Sequence, residues 1–265
     1  MTPAADSPLL HQRDGAVCTL TLNRPQARNA LSDELLAALK AGLEQAMQDP
    51  AVRVIVLAAK GPAFSAGHDL KEMTPHWNDA DSGRAWFNGL LQRCAAVMQA
   101  IVQGPKPVIA QVQGIATAAG CQLVASCDLA VAATSARFAT PGVNIGLFCS
   151  TPMVALSRNI ARKHAMEMLL TGDMISAARA AEMGLVNRVV ADDALARETM
   201  ALAQHIAGKS AVSIRTGKAA FYRQLELGLP DAYGFAGEVM TRNMLEADAH
   251  EGICAFIDKR SPRWE

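Results

Sequence analysis

The stretch Pro107-Val108-Ile109-Ala110-Gln111-Val112-Gln113-Gly114-Ile115-Ala116-Thr117-Ala118-Ala119-Gly120-Cys121-Gln122-Leu123-Val124-Ala125-Ser126-Cys127 decides the fold, because it admits two opposite readings. Its 21 residues hold no formal charge, which is long enough to cross a bilayer. Yet Gln111, Gln113, Gln122, Thr117 and Ser126 would be costly in hydrocarbon, and Gly114 and Gly120 interrupt it. Val108 to Val112 reads as a buried strand, Gly114 as a turn, and 118–126 as a short helix. The stretch is therefore expected to be a strand-turn-helix of a globular chain, with no membrane insertion.

The same alternation recurs on both sides of it. Cys18, Leu20 and Leu22 alternate with Thr19 and Thr21, the period of a half-buried strand. Ser32 reads as an N-cap with Asp33 and Glu34 in the first turn, followed by Leu35, Leu39, Leu43 and Met47 at spacing four. Val52 to Ala58 is an apolar run broken only by Arg53, as in a strand covered on both faces. Leu90, Leu91, Cys94, Val97, Met98 and Ile101 mark a further helix, and Leu129 to Ala133 a further strand. Alternating strands and helices give an α/β class. Beyond residue 191 the runs 192–207, 211–225, 231–247 and 251–258 all read as helices. The chain is accordingly divided into a core, 1–195, and a helical C-terminal region, 196–265, assigned to oligomerisation and to covering a coenzyme.

Charge and cysteine usage narrow the class. Lys plus Arg and Asp plus Glu number 25 each, which leaves no electrostatic footprint for a nucleic acid. Cys18, Cys94, Cys121, Cys127, Cys149 and Cys254 form no Cys-x-x-Cys pair and no Cys/His cluster. They read as free thiols of a reducing compartment, without a metal site. Residues 1–16 lack the apolar run of a signal peptide, so the expected location is cytoplasmic.

Two turns of small residues carry the candidate chemistry: Phe64-Ser65-Ala66-Gly67-His68-Asp69-Leu70 and the segment from Gly114 to Leu123. Small residues at a helix start let a ligand reach free backbone N–H groups. Two such donors meeting at one oxygen make an oxyanion hole, which usually contributes more than any other single device to acyl-group catalysis. Either turn alone is no more than a tight turn.

Taken together, ordered blocks from Val17 to Trp264 resemble the crotonase (enoyl-CoA hydratase/isomerase) superfamily. They are Asn23-Arg24-Pro25 with Arg28-Asn29-Ala30-Leu31, Phe64-Ser65-Ala66-Gly67, Ala118 to Leu123 with Cys127-Asp128, Phe138 with Pro141, Leu170-Thr171-Gly172, Gly184-Leu185-Val186-Asn187, and Phe256 with Lys259-Arg260. Ala118-Ala119, Thr140 to Asn144 and Phe148 to Pro152 look most similar to the enoyl-CoA hydratase domain-containing subgroup. The resemblance implies a spiral of repeated β-β-α units followed by a helical region. It also implies a homotrimer or homohexamer that binds an acyl-CoA thioester, the kind of protein found in fatty acid metabolism. Coenzyme A enters only as part of the substrate, with no prosthetic group. Position by position, the resemblance assigns the oxyanion hole to the amides of Ala66 and Ala119. It places Arg28 near the coenzyme phosphates and the backbone of Ala66, Asp69 and Leu70 at the adenine. Phe256 and Lys259 would reach a neighbouring subunit's coenzyme.

The pattern breaks where the family's hydratases carry two glutamates: here stand Gln122 and Gly142. An amide orients water but cannot accept its proton, and glycine offers no group at all. Between Ser82 and Met166 the only acid is Asp128, which reads as structural. Cys149 and Ser150 lie on a loop where some family isomerases place another acid. His68 is positioned to hold a substrate carboxylate, as in the similar methylmalonyl-CoA decarboxylases, or simply to pack near the coenzyme. His76, Asp79 and Asp81 could enter from further away. The expected activity is an acyl-CoA lyase or isomerase with non-standard chemistry. The alternatives are a non-catalytic acyl-CoA binder or regulator, and a malonyl-type decarboxylase.

Overall fold

The computed structural model describes residues 7–264. A hairpin opens the chain, β1 (Leu9–Asp14) and β2 (Val17–Leu22), followed by α1 (Asp33–Gln48). Units of two strands and helix then repeat. The first is β3 (Val54–Ala59), β4 (Ala63–Ser65), α2 (Leu70–Met73) and α3 (Arg84–Gln103). The second is β5 (Val108–Val112), β6 (Ile115–Thr117) and α4 (Ala119–Ser126). The third is β7 (Leu129–Ala133), β8 (Arg137–Ala139), α5 (Pro152–Leu156) and α6 (Arg162–Thr171). A last, reduced unit holds β9 (Ile175–Ser176), α7 (Ala177–Met183) and β10 (Arg188–Val190).

Each unit gives one strand to each of two sheets. The larger has the order β1-β2-β3-β5-β7-β10 and is parallel except for the opening hairpin. The smaller has the order β4-β6-β8-β9, with β4, β6 and β8 parallel. The turn between β5 and β6 requires glycine: Gly114 has φ +60°, and a Cβ there would stand 1.9 Å from the Pro62 carbonyl oxygen. The expected strand-turn-helix is therefore present, with β6 added between turn and helix. No helix of the described residues is long and apolar enough to cross a membrane.

The sequence periods are realised in burial. Cys18, Leu20 and Leu22 are buried while Thr19 and Thr21 are half-buried. Ser32 Oγ accepts the Leu35 N–H at 3.2 Å, capping α1, whose Leu35, Leu39 and Leu43 are fully buried. Ile55 and Leu57 of β3 face the main core with α1 and α3, whereas Val54, Val56 and Ala58 face the opposite side. That opposite side is covered by α8 (Leu195–Ala207) through Leu195, Leu202 and Ala203. The division expected at 195 thus falls at the first residue of a helix packed on the sheet.

Three more helices follow: α9 (Ala211–Gln224), α10 (Leu229–Met244) and α11 (Ala247–Ile257). The last two differ from the expected bounds, because the helical run breaks at Leu245 and Glu246 and restarts earlier. A buried network holds α9 to the core. Lys218 Nζ donates to the carbonyls of Ile101 (2.7 Å) and Lys106 (2.8 Å) and to Asp128 Oδ2 (2.7 Å). The Tyr222 hydroxyl donates to Asp128 Oδ1 at 2.9 Å, and the Val108 N–H to Asp128 Oδ2 at 2.7 Å. Asp128 is structural, as its position suggested. Burial pushes the Lys218 ammonium below its ordinary pKa, and Asp128 opposes this.

Removing one partner of a buried ion pair leaves the other uncompensated, at a cost of about 3–5 kcal/mol. Lys218→Ala is therefore expected to lose about that much stability, since it strands Asp128 and two carbonyls. Denaturant unfolding of the two proteins checks this; a loss below about 1 kcal/mol would contradict it.

Candidate active site

Three parallel strands end side by side: β4 pairs β6 through Ser65 and Ala116, and β6 pairs β8 through Thr117 and Ala139. Beyond their carboxyl ends, where parallel sheets present ligand sites, lie three turns. Ala66-Gly67-His68 follows β4, Ala118 leads from β6 into α4, and Thr140-Pro141-Gly142 follows β8. The first two touch because side chains are missing. A Cβ on Gly67 would stand 2.9 Å from Ala118 Cβ and 3.4 Å from the Ala119 nitrogen, and Gly67 has φ +94°. A Cβ on Gly120 would stand 2.3 Å from the Ser65 carbonyl oxygen. Ala118 itself has φ 49° and ψ −118°, a conformation that L-residues rarely adopt. Its N–H donates to the Ala139 carbonyl at 3.0 Å, and α4 begins at the next residue.

The free donors here are not the pair expected. The Ala66 N–H donates to the Arg28 carbonyl at 3.0 Å. It is committed to the fold, which corrects its assignment to an oxyanion hole. The Gly67 N–H reaches Ser65 Oγ at 3.3 Å, and the Asp69 N–H reaches the Leu31 carbonyl at 3.3 Å. Between them Leu31 bridges His68 as a parallel strand would, bonding through Gly67 and Asp69. The His68 N–H points the other way and has no acceptor among the described residues. Ala119 opens α4, where N–H groups have no intrahelical acceptor. The N–H groups of His68 and Ala119 are thus without an acceptor among the described residues.

A rigid support lies behind the first turn. Arg28 and Asn29 are consecutive left-handed residues, with φ 50° and 52°. The fully buried Asn29 side chain accepts the Arg24 N–H and donates to the Lys60 and Ala63 carbonyls, all at 2.8 Å. Arg24 Nη2 donates to Asp69 Oδ2 at 3.0 Å, and Asp69 Oδ1 caps α2 through the Lys71 N–H. Both the amide and the carboxylate of Asp69 are thus engaged. The Leu70 and Arg28 side chains are exposed at this rim.

Gln122 and Gly142, the positions where the resemblance implies two glutamates, lie in α4 and in the turn after β8. Gln122 is buried on the first turn of α4, and its Oε1 has no partner; Thr140 is fully buried, and its Oγ1 has none either. Gly142 does not have a positive φ, so glycine is not required there by backbone conformation. Space is the constraint: a Cβ would stand 2.9 Å from Cys149 Sγ and 3.0 Å from the Leu147 carbonyl oxygen. Burial pushes the Cys149 thiol up, opposed by a hydrogen bond from the Gly142 backbone. Ser150 is exposed and its Oγ bonds the Phe148 carbonyl at 3.4 Å, so the structure does not bring it in.

His76, Asp79 and Asp81 are engaged elsewhere. His76 Nδ1 meets Asp79 Oδ2 at 2.8 Å while the ring stacks on Trp86 at 4.0 Å. Asp81 accepts the N–H groups of Gly83 and Ala85. Phe256 and Lys259 are exposed at the end of α11, which packs on α9 and α10 and not on these turns. Surface cavities of about 710 and 310 Å³ lie in the helical tail, lined only by residues from 213 onward.

Comparison with known proteins identifies the family and the fold. A model of the family described as Enoyl-CoA hydratase/isomerase matches residues 12–265. Mouse enoyl-CoA hydratase domain-containing protein 3, mitochondrial, is 48% identical over 253 residues, 96% of this chain and 82% of its own. The crystal structure of human enoyl coenzyme A hydratase domain-containing protein 3 has TM-score 0.92 at 45% identity, covering 97% of this chain and 100% of that one. An enoyl-CoA hydratase of Mycobacterium smegmatis has TM-score 0.92 at 55% identity, covering 97% and 98%. The resemblance to the family and to its domain-containing subgroup is borne out. The cytoplasmic expectation is not: the mouse relative and its human counterpart, 47% identical, are mitochondrial by name.

His68 makes a pH prediction. Burial lowers its pKa below the ordinary 6.5, weakly opposed by the Leu31 carbonyl, which is too poorly placed for a hydrogen bond. The unfolded chain therefore binds the proton more tightly than the folded one. Stability should be full above the ordinary value and fall as pH drops through it. His68→Gln is expected to flatten that acid limb in urea titrations; an unchanged limb would contradict the assignment.

Proposed function

The chain belongs to the enoyl-CoA hydratase/isomerase family, and from that premise and the geometry above we propose that it binds an acyl-coenzyme A thioester and polarises its carbonyl between the N–H groups of His68 and Ala119. The observation that supports this reading is the contact of the two turns at the strand ends, where the Ala119 nitrogen lies 3.4 Å from the point where a Cβ on Gly67 would stand. Fixed backbone donors stabilise an enolate without reorganising. The exposed Arg28 side chain supplies a cation for the coenzyme phosphates, and Leu70 an apolar surface for its adenine.

The chemistry is not efficient hydration. General acid-base groups contribute factors of about 100 to 10,000 each, and Gln122 and Gly142 supply neither. Decarboxylation of a malonyl-type thioester fits better, because it forms an enolate and needs little base. The unpartnered, neutral His68 ring is suited to donate one hydrogen bond to the departing carboxylate. A non-catalytic binder would use the same two amides.

Calorimetry should detect binding of several acyl-CoA thioesters; no affinity for any of them would end this reading. Crotonyl-CoA hydration is expected to be about 1,000-fold slower than in a two-glutamate relative, or slower still. Gln122→Glu with Gly142→Glu should raise the rate only when Cys149→Ala also clears the thiol from the new side chain. An ordinary rate in the unmodified protein would show that another acid or base serves the site.

Assembly is proposed from the tail. α10 has no buried residue in the single chain, and Phe221, Leu225, Met240, Met244, Leu245 and Phe256 are each more than half exposed. Apolar faces of this extent call for a partner, and a trimer or hexamer would bring Phe256 and Lys259 to a neighbouring site. Light scattering at micromolar concentration should show that assembly; a monomer would refute it.

A further inference from the structure

Cys149 is the buried nucleophile that the proposed function leaves idle. Its Sγ stands 2.9 Å from the point where a Cβ on Gly142 would lie, so the thiol fills the space into which a side chain at 142 would grow. α5, which starts three residues after Cys149, packs on α4, and Cys149 raises the already buried Cys121 thiol of α4 further. The thiol therefore lies against the turn after β8, on a loop that leads into the helix packed on α4.

Two polar side chains mark the same place as one that receives a ligand. Gln122, 5% exposed, has a buried Oε1 without a partner, and Thr140, 0% exposed, has an unpartnered Oγ1. Helical side chains lean towards the start of their helix. Gln122 is thereby directed to the end of α4 where the Ala119 N–H is free. Thr140 lies two residues before Gly142 on the facing turn. Buried polar atoms without partners are destabilising until something supplies the missing hydrogen bonds.

We infer that Cys149 adds covalently to α,β-unsaturated acyl thioesters bound at this site. The inference rests on the acyl-CoA reading above and adds to it a substrate class, electrophilic enoyl thioesters. A sulfur lone pair forms the Sγ–Cβ bond, and the alkene pair shifts to make an enolate whose oxygen is held by the His68 and Ala119 amides. Hydroxide from the alkaline buffer takes the thiol proton, slowly because burial pushes that thiol up, and water returns a proton to Cα as the enolate collapses, regenerating the hydroxide. The product is a saturated thioether that still carries its coenzyme A. Nothing is oxidised and no co-reactant is consumed. A saturated thioester has no acceptor carbon and cannot react. A carboxylate at position 142 would have favoured water as the nucleophile, whereas a thiol in its place competes with water directly.

The test uses the full-length protein with crotonyl-CoA in mildly alkaline buffer, quenched in acid to slow the reverse elimination, followed by intact mass and peptide mapping. The expected result is one whole crotonyl-CoA added per chain, on the peptide containing Cys149, absent with butyryl-CoA and absent from Cys149→Ser. Excess butyryl-CoA should slow the labelling at least tenfold, since both ligands use one site. Butyryl-CoA binding by calorimetry without any crotonyl adduct would overturn this inference alone. No binding of either thioester would overturn the acyl-CoA reading itself. Labelling of Cys254, or labelling that butyryl-CoA does not slow, would also overturn the assignment to Cys149.

Discussion

The contact between the turn after β4 and the start of α4 has no room for a side chain, and the site depends on that. A methyl group on Gly120 would lie 2.3 Å from the Ser65 carbonyl oxygen, and one on Gly67 would meet both Ala118 and Thr117. Close approach of two backbones is what brings Gly67 against Ala118 and the Ala119 nitrogen. Interiors packed at crystal density transmit such a constraint with little give. The unusual φ and ψ of Ala118 follow from it, because the chain must turn from strand to helix within one residue while its N–H still bonds Ala139. Strain of this kind persists only where the surroundings over-determine it.

Much of the fold was legible because its signals are periodic. Leu35, Leu39 and Leu43 at spacing four, and Cys18, Leu20 and Leu22 at spacing two, each state a face, and each face is buried. The smaller sheet was legible only through family resemblance. β4, β6 and β8 have three residues each and β9 two, too short for any period to repeat. The hairpin strand β1 was missed because His11, Gln12, Arg13 and Asp14 are exposed at an edge, so it shows no apolar alternation.

The site was legible in its positions and misread in one donor. The small residues located both turns, which the structure brings into contact. Which amide of the first turn is free could not be read from residue types, since any residue carries the same N–H. That choice is made by a distant segment: the Arg28 carbonyl takes the Ala66 N–H, and Leu31 takes that of Asp69. The crowding of Gly142 by Cys149 was equally invisible, being a contact across a loop.

Asp128 has a history within each molecule as it is made. Its cation, Lys218, lies 90 residues further along the chain. At a synthesis rate of about 5–20 residues per second, that separation lasts roughly 5 to 20 seconds. Through that interval β5 and β7 can pair, but the carboxylate between them meets only water and the Val108 amide. The α/β spiral thus emerges with an unfinished corner, and the arrival of α9 closes it. The corner of the core at Asp128 has its cation only once α9 has been made.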